Sequence, residues 1–166
     1  MKLYKLTDEK GRTRGGMQWG PGVTHKATGK GTELCSDGWI HAYEHPLIAV
    51  LMNPQHANFV NPRLWEAEGE IGVRDGNLKC GAKELTTVRE IPMPQLSVEQ
   101  LVEVAIKVSL HVYTEPAWKT WAESWLVGEN RTEQAARAAS EAAAWAASEG
   151  ADYLIPILEE VYGKSF

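Results

Sequence analysis

The sequence predicts an α+β protein, a small antiparallel sheet from the N-terminal half packed against three to four C-terminal helices. Three observations lead there. Leu3–Thr7 and Trp39–Tyr43 alternate apolar and polar residues with the period of a strand. Asp75-Gly76 separates two longer alternating runs, the pattern of a hairpin. Past Pro92 and Pro94 the period changes to the three- and four-residue spacing of helices. At 166 residues the chain fits one domain, residues 1–92 mainly β and 93–166 helical.

The elements follow in order. Leu3–Thr7 is the first strand. Asp8–Ala27, with five glycines and a proline, and Thr24–Thr32 after it read as one long loop. Trp39–Tyr43 is a second strand with Trp39, His41 and Tyr43 on one face and Ile40 and Ala42 on the other. His45 precedes Pro46, which suits a first helical position, so Leu47–Met52 becomes a short buried helix that stops before Pro54. Gln55–Pro62 connects it to the hairpin of Arg63–Val73 with Leu78–Glu90. A tight turn would pair Gly72 with Lys79, Glu70 with Gly81 and Glu68 with Lys83. Ile71 would then face Cys80, and Val73 would face Leu78.

Ser97 and Gln100 form a capping box before Leu101, Val104, Ala105 and Val108. Glu115-Pro116 opens a second helix with an apolar stripe of Trp118, Trp121, Ala122 and Trp125, ended by Gly128. Asn130 with Glu133 caps an alanine-rich helix to about Ser148. Asp152 caps a last helix, Tyr153–Tyr162, which tolerates Pro156 near its first turn and closes at Gly163.

Composition narrows the function. Hydrophobic content of 43% and charged content of 23% are those of a globular chain, and a net charge of −5 argues against general nucleic-acid binding. Two cysteines, Cys35 and Cys80, are too few for a disulfide framework. No signal-peptide core and no run of about 18 apolar residues is visible, so the expectation is a cytoplasmic protein off the membrane.

The densest chemistry lies in Cys35–Pro54. His41 and His45 have the spacing of a helical zinc pair, but Pro46 breaks that helix and Glu44 is misplaced for H-E-x-x-H, so no metal is assigned. His45 as a helix cap and His41 as a hydrogen-bond donor is the simpler reading. Gly20-Pro21-Gly22 and Gly29-Lys30-Gly31-Thr32 both fail as phosphate motifs, which leaves a loop whose Arg12, Arg14, Lys26 and Lys30 could meet an anion. Glu66, Glu68 and Glu70 read as the wet face of the hairpin, partly neutralised by Lys83. Cys35 with His41 as its base is conceivable chemistry, but free cysteines are usually buried and inert.

Leu34–Leu47, with Leu64–Gly69 and Lys83–Ile91, resembles uncharacterised small proteins encoded by phages and prophages. That resemblance implies an accessory protein acting in the bacterial cytoplasm. With no complete catalytic signature and an acidic surface suited to basic partners, the expectation is a non-catalytic protein, without a cofactor, that binds a host protein of a defence system. Trp39, His41, Tyr43 and His45 are then the binding residues. A fainter likeness is to the ADP-ribosyltransferase fold. It implies NAD and a site of Tyr4, Lys5, His41, Tyr43 and Glu84, with Glu90 as the other candidate glutamate. Lys5 stands where those enzymes carry histidine. A self-associating structural protein is the third reading.

Overall fold

Alternation in β1 (Lys2–Thr7) buries both faces of the strand, Leu3, Lys5 and Thr7 on one side and Tyr4 and Leu6 on the other. The computed structural model describes residues 1–129, 131–132 and 150–163. It divides into two compact units, Met1–Pro94 and Gln95–Phe166.

The first unit is a five-stranded antiparallel sheet. Besides β1 it contains β2 (Val23–Lys26), β3 (Ile40–Ala42), β4 (Arg63–Asp75) and β5 (Lys79–Ile91). The order is β1-β4-β5-β2, and β3 also pairs with β5. Tyr43, just past β3, exchanges backbone hydrogen bonds of 2.8 and 2.9 Å with Tyr4 of β1. The chain leaving β3 therefore meets the free edge of β1, and β1, β4, β5 and β3 close into a ring. Leu3, Ile40, Ala42, Ala67, Cys80, Ala82 and Leu85 form its core with Trp19. α1 (Pro46–Leu51), whose first four residues are all buried, packs against β1.

The hairpin bend lies at Asp75-Gly76 as expected, but its register differs from the expected one. Gly76, Asn77 and Leu78 form a three-residue loop, with Gly76 at φ 48°, so pairing begins at Asp75 opposite Lys79. Register then shifts between Ile71 and Val73, Gly69 and Ile71, and Glu66 and Ala67. Cys80 faces Arg74, Gly81 faces Val73, and Glu68 faces Thr86. Such bulges bend and twist a strand pair, which suits two 13-residue strands that must curve into a ring. Gly72 lies at one of them, where an added Cβ would overlap Cζ3 and Cη2 of Trp39. Gly72→Ala should therefore cost about 1–3 kcal/mol in a urea melt and alter tryptophan emission. An unchanged midpoint would mean that the Trp39 ring moves aside freely.

Three other expectations change. The early loop contains β2, paired with β5 from Val23 opposite Thr87 to Lys26 opposite Glu84. Its alternation is present but only four residues long. The connector after α1 begins with a short helix, α2 (Asn53–His56), with Pro54 in its first turn. Glu66 is paired by Lys2 at 3.2 Å and Arg89 at 2.7 Å, whereas Lys83 donates to Gly38 O at 2.7 Å and covers the Trp39 ring.

The second unit contains α3 (Val98–Val112), α4 (Pro116–Leu126) and α5 (Ala151–Tyr162). Ser97 and Gln100 close the expected capping box, and Glu115 Oε2 accepts from Trp118 N at 2.7 Å to start α4. Ile106, Ala122 and Trp125 form the core between α3 and α4, with Trp118 and Trp121 packed on it. Trp118 Nε1 donates to Ser109 Oγ at 3.1 Å, so the indole is both wedge and tie. α5 packs on α3, where Lys107 bridges Glu103 and Glu160. Gly150 rather than Asp152 sits at the cap of α5, which starts two residues before the expected Tyr153 and makes Pro156 its sixth residue. Of the expected helix over 130–148, Arg131 and Thr132 are described and lie outside any helix, and the rest falls outside the described residues.

Candidate functional site

One recess of the first unit is a cavity of about 230 Å³ lined from β1, β3, β5 and the segments around them. β1 contributes Lys5 to it, β3 contributes His41, and the segment beyond β3 contributes Tyr43. Lys79 comes from the start of β5, His56 from the end of α2, and Arg14 from the loop after β1. Trp39 and Phe59 add aromatic wall. Among the described residues no carboxylate lines it.

Lys5 shares the inward side of β1 with Leu3 and Thr7, and the whole residue is only 7% exposed. Its Nζ donates to His41 O at 2.5 Å and lies 5.3 Å from the Trp19 ring. Burial without a carboxylate partner lowers its pKa to about 8. His41 Nε2 lies 2.5 Å from Leu34 O. A carbonyl only accepts, so Nε2 carries the proton and Nδ1 is the basic nitrogen of the neutral ring. Burial, then Lys79 and Lys5, hold His41 below the usual histidine value, against the Leu34 hydrogen bond.

Tyr43 and His56 form a second pair. Their rings stack at 5.9 Å, and Tyr43 Oη lies 3.3 Å from His56 Nδ1. Burial pushes the tyrosine up to about 12, so its hydroxyl keeps the proton. Burial chiefly, with Lys79 next, lowers His56. Arg14 Nε donates to Ala57 O at 3.1 Å, and Lys79 Nζ donates to Cys35 Sγ at 3.2 Å.

Of the residues expected at a site, Lys5, Trp39, His41 and Tyr43 line this cavity together. Tyr4 is buried beside it and joins Tyr43 through backbone alone. His45 caps α1, its Nδ1 accepting from Leu47 N at 3.3 Å, and does not line the cavity. Glu84 pairs with Lys26 at 2.6 Å and lines a different recess with Glu68, Glu70 and the far side of Trp39. Glu90 is held by Arg63 through two hydrogen bonds. Cys35 is exposed, whereas Cys80 is buried, its thiol raised to about 11 by burial. Lys79 and Phe59 were not singled out in the sequence, because nothing local to either distinguishes it. Arg14 belongs to the basic loop expected to meet an anion, and of that set it alone lines the cavity. Among the described residues no group of three or more His, Cys, Asp or Glu side chains could hold a metal ion. No helix of those residues is long and apolar enough to cross a membrane.

A closed antiparallel sheet in one unit and helices in the other define an α+β protein. The chain belongs to the DUF7666 family, a domain of unknown function whose model matches residues 1–99. That match spans every strand and the whole cavity lining. No curated protein and no solved structure matches the chain.

Proposed function

We propose that the N-terminal unit is a receptor for a small anionic molecule. One observation carries this reading: Lys5, Arg14 and Lys79 converge with two imidazoles on a recess without a lining carboxylate, in a chain of net charge −5. Charge of one sign in a low-dielectric cleft focuses the field on a ligand. The volume, about 230 Å³, is below the roughly 300–1,000 Å³ usual for drug-sized ligands, which favours a compact anion over NAD. The position of Glu84 outside the lining also weighs against the transferase reading.

Calorimetric titration with phosphate, glycolate and lactate tests this. Arg14→Ala with Lys79→Ala should weaken binding by roughly a hundredfold or more, each lost charged hydrogen bond being worth on the order of 1.5–3 kcal/mol. Affinity should be greatest below pH 8 and fall as pH rises through the Lys5 value of about 8, because the ammonium form attracts the anion. Affinity that is flat to pH 10 and indifferent to the double change would refute the reading.

A second reading, a phage or prophage accessory protein that binds a bacterial host protein, has its own support. Val98 and Val127 of the helical unit are 76% and 71% exposed, and Tyr113 is exposed as well. Large apolar side chains in water suit a partner surface. A host protein retained by the wild type and lost with Val98→Asp and Val127→Asp would support it. Retention by both would remove this surface from the interaction.

A further inference from the structure

We infer that Lys5 is a nucleophilic amine and that the anion taken by the cavity is a small aldehyde or ketone, held as an imine on Lys5 Nζ. The inference rests on the anion-receptor reading and adds covalent chemistry to it.

Geometry is the first support. Lys5 is the one strand lysine turned into the ring interior beside Leu3 and Thr7, yet it also lines the cavity. Its polar contacts are the His41 carbonyl and the face of Trp19, neither of which is an anion. A lysine that only stabilised a fold would be expected at the surface or against a carboxylate, since an unpaired buried ammonium is costly. Lys2, Lys26 and Lys107 follow that rule, each paired with a glutamate. Desolvation near cationic neighbours is a recognised means of keeping an amine neutral and nucleophilic. With a pKa of about 8, roughly a tenth of Lys5 is neutral at pH 7, against a few parts in ten thousand for an ordinary lysine.

The other lining groups fit the remaining steps. The Nζ lone pair forms the C–N bond as the carbonyl oxygen becomes a hydroxyl, its proton supplied by the Tyr43–His56 pair. The nitrogen then gives up a proton to the basic Nδ1 of His41. The His41 imidazolium returns that proton to the hydroxyl, the C–O bond breaks and water leaves, giving a protonated imine, while the proton shed by the starting Lys5 ammonium restores the Tyr43–His56 pair. The net change is ammonium plus carbonyl to protonated imine plus water, with no oxidant or reductant. Arg14 and Lys79 would hold the carboxylate or phosphate of the substrate, and the absence of an acidic lining residue leaves those cations available to it.

Glyoxylate and pyruvate are the probes, smaller than the cavity, with glycolate and lactate as anions that carry no carbonyl. The full chain is incubated with each, reduced with borohydride, and mapped by peptide mass spectrometry. Secondary-amine adducts should accumulate at Lys5 on the order of a hundred times faster than at exposed lysines, in line with the neutral fractions above. Lys5→Arg, which keeps the positive charge but removes the nucleophilic amine, should abolish that adduct. Tyr43→Phe should slow adduct formation at Lys5. Adducts spread over surface lysines, with lactate still bound, would overturn the imine and leave the receptor reading standing. Failure of these four anions and of phosphate to bind would overturn both.

Discussion

Lys5→Met is expected to make the protein more stable at pH 7. In the unfolded chain Lys5 titrates near the ordinary 10.5, whereas in the folded chain burial lowers it to about 8. The unfolded state therefore binds more protons between those values, and wild-type stability should rise as pH climbs from about 8 to 10.5. Below pH 8 the cost is present in full, on the order of 3 kcal/mol from a shift of that size. Loss of the hydrogen bond to His41 O offsets about 1 kcal/mol. Urea denaturation should thus show a gain of about 2 kcal/mol at pH 7 that vanishes or reverses near pH 11. A variant less stable than wild type by the same amount at both pH values would show that the ammonium is not held at a cost. A stability penalty at a ligand-facing residue is the usual signature of function set against folding.

Trp65→Ala should produce the largest loss of stability in the sheet. Trp65 is 1% exposed, its Nε1 donates to Thr7 Oγ1 at 3.0 Å, and the Arg63 guanidinium lies 4.7 Å from its ring. Truncation of a buried tryptophan costs about 3–5 kcal/mol through lost burial and the remaining cavity. Thr7→Val isolates the polar part, because it leaves the indole N–H buried and unpaired at a cost of about 1–3 kcal/mol. Far-UV circular dichroism in urea should order the midpoints as wild type, then Thr7→Val, then Trp65→Ala. Equal midpoints for wild type and Thr7→Val would mean that water replaces the hydroxyl.

Much of the fold was legible because its signals are local. Ser97 with Gln100, and Glu115 before Pro116, each specify a helix start within four residues, and both close as expected. His45 before Pro46 caps α1 for the same reason. The hairpin was legible in kind but not in register. A three-residue loop and three bulges displace the pairing, and bulges are set by the need of a curved sheet to keep its apolar residues inside. β2 escaped because its four residues acquire strand character from β5 rather than from their own length.

The site was legible in part. Trp39, His41 and Tyr43 lie within five residues, and strand alternation is enough to turn them to one side. Lys5 entered only through a family likeness, while Lys79, His56 and Arg14 are separated from it by as much as the length of the sheet. Nothing in a local window says that position 5 will stand beside position 41.

By itself the sequence determined the class of fold, the helix caps, the place of the hairpin bend and the aromatic–imidazole cluster after Gly38. These depend on dihedral preference and side-chain period, which act over a few residues. Only the tertiary structure decided that the Tyr4–Tyr43 bridge closes the sheet and that Lys5, Arg14 and Lys79 meet in a recess that no carboxylate among the described residues lines. Strand pairing across tens of residues is governed by burial of the whole core, so the charge of the cavity exists only after the ring has formed.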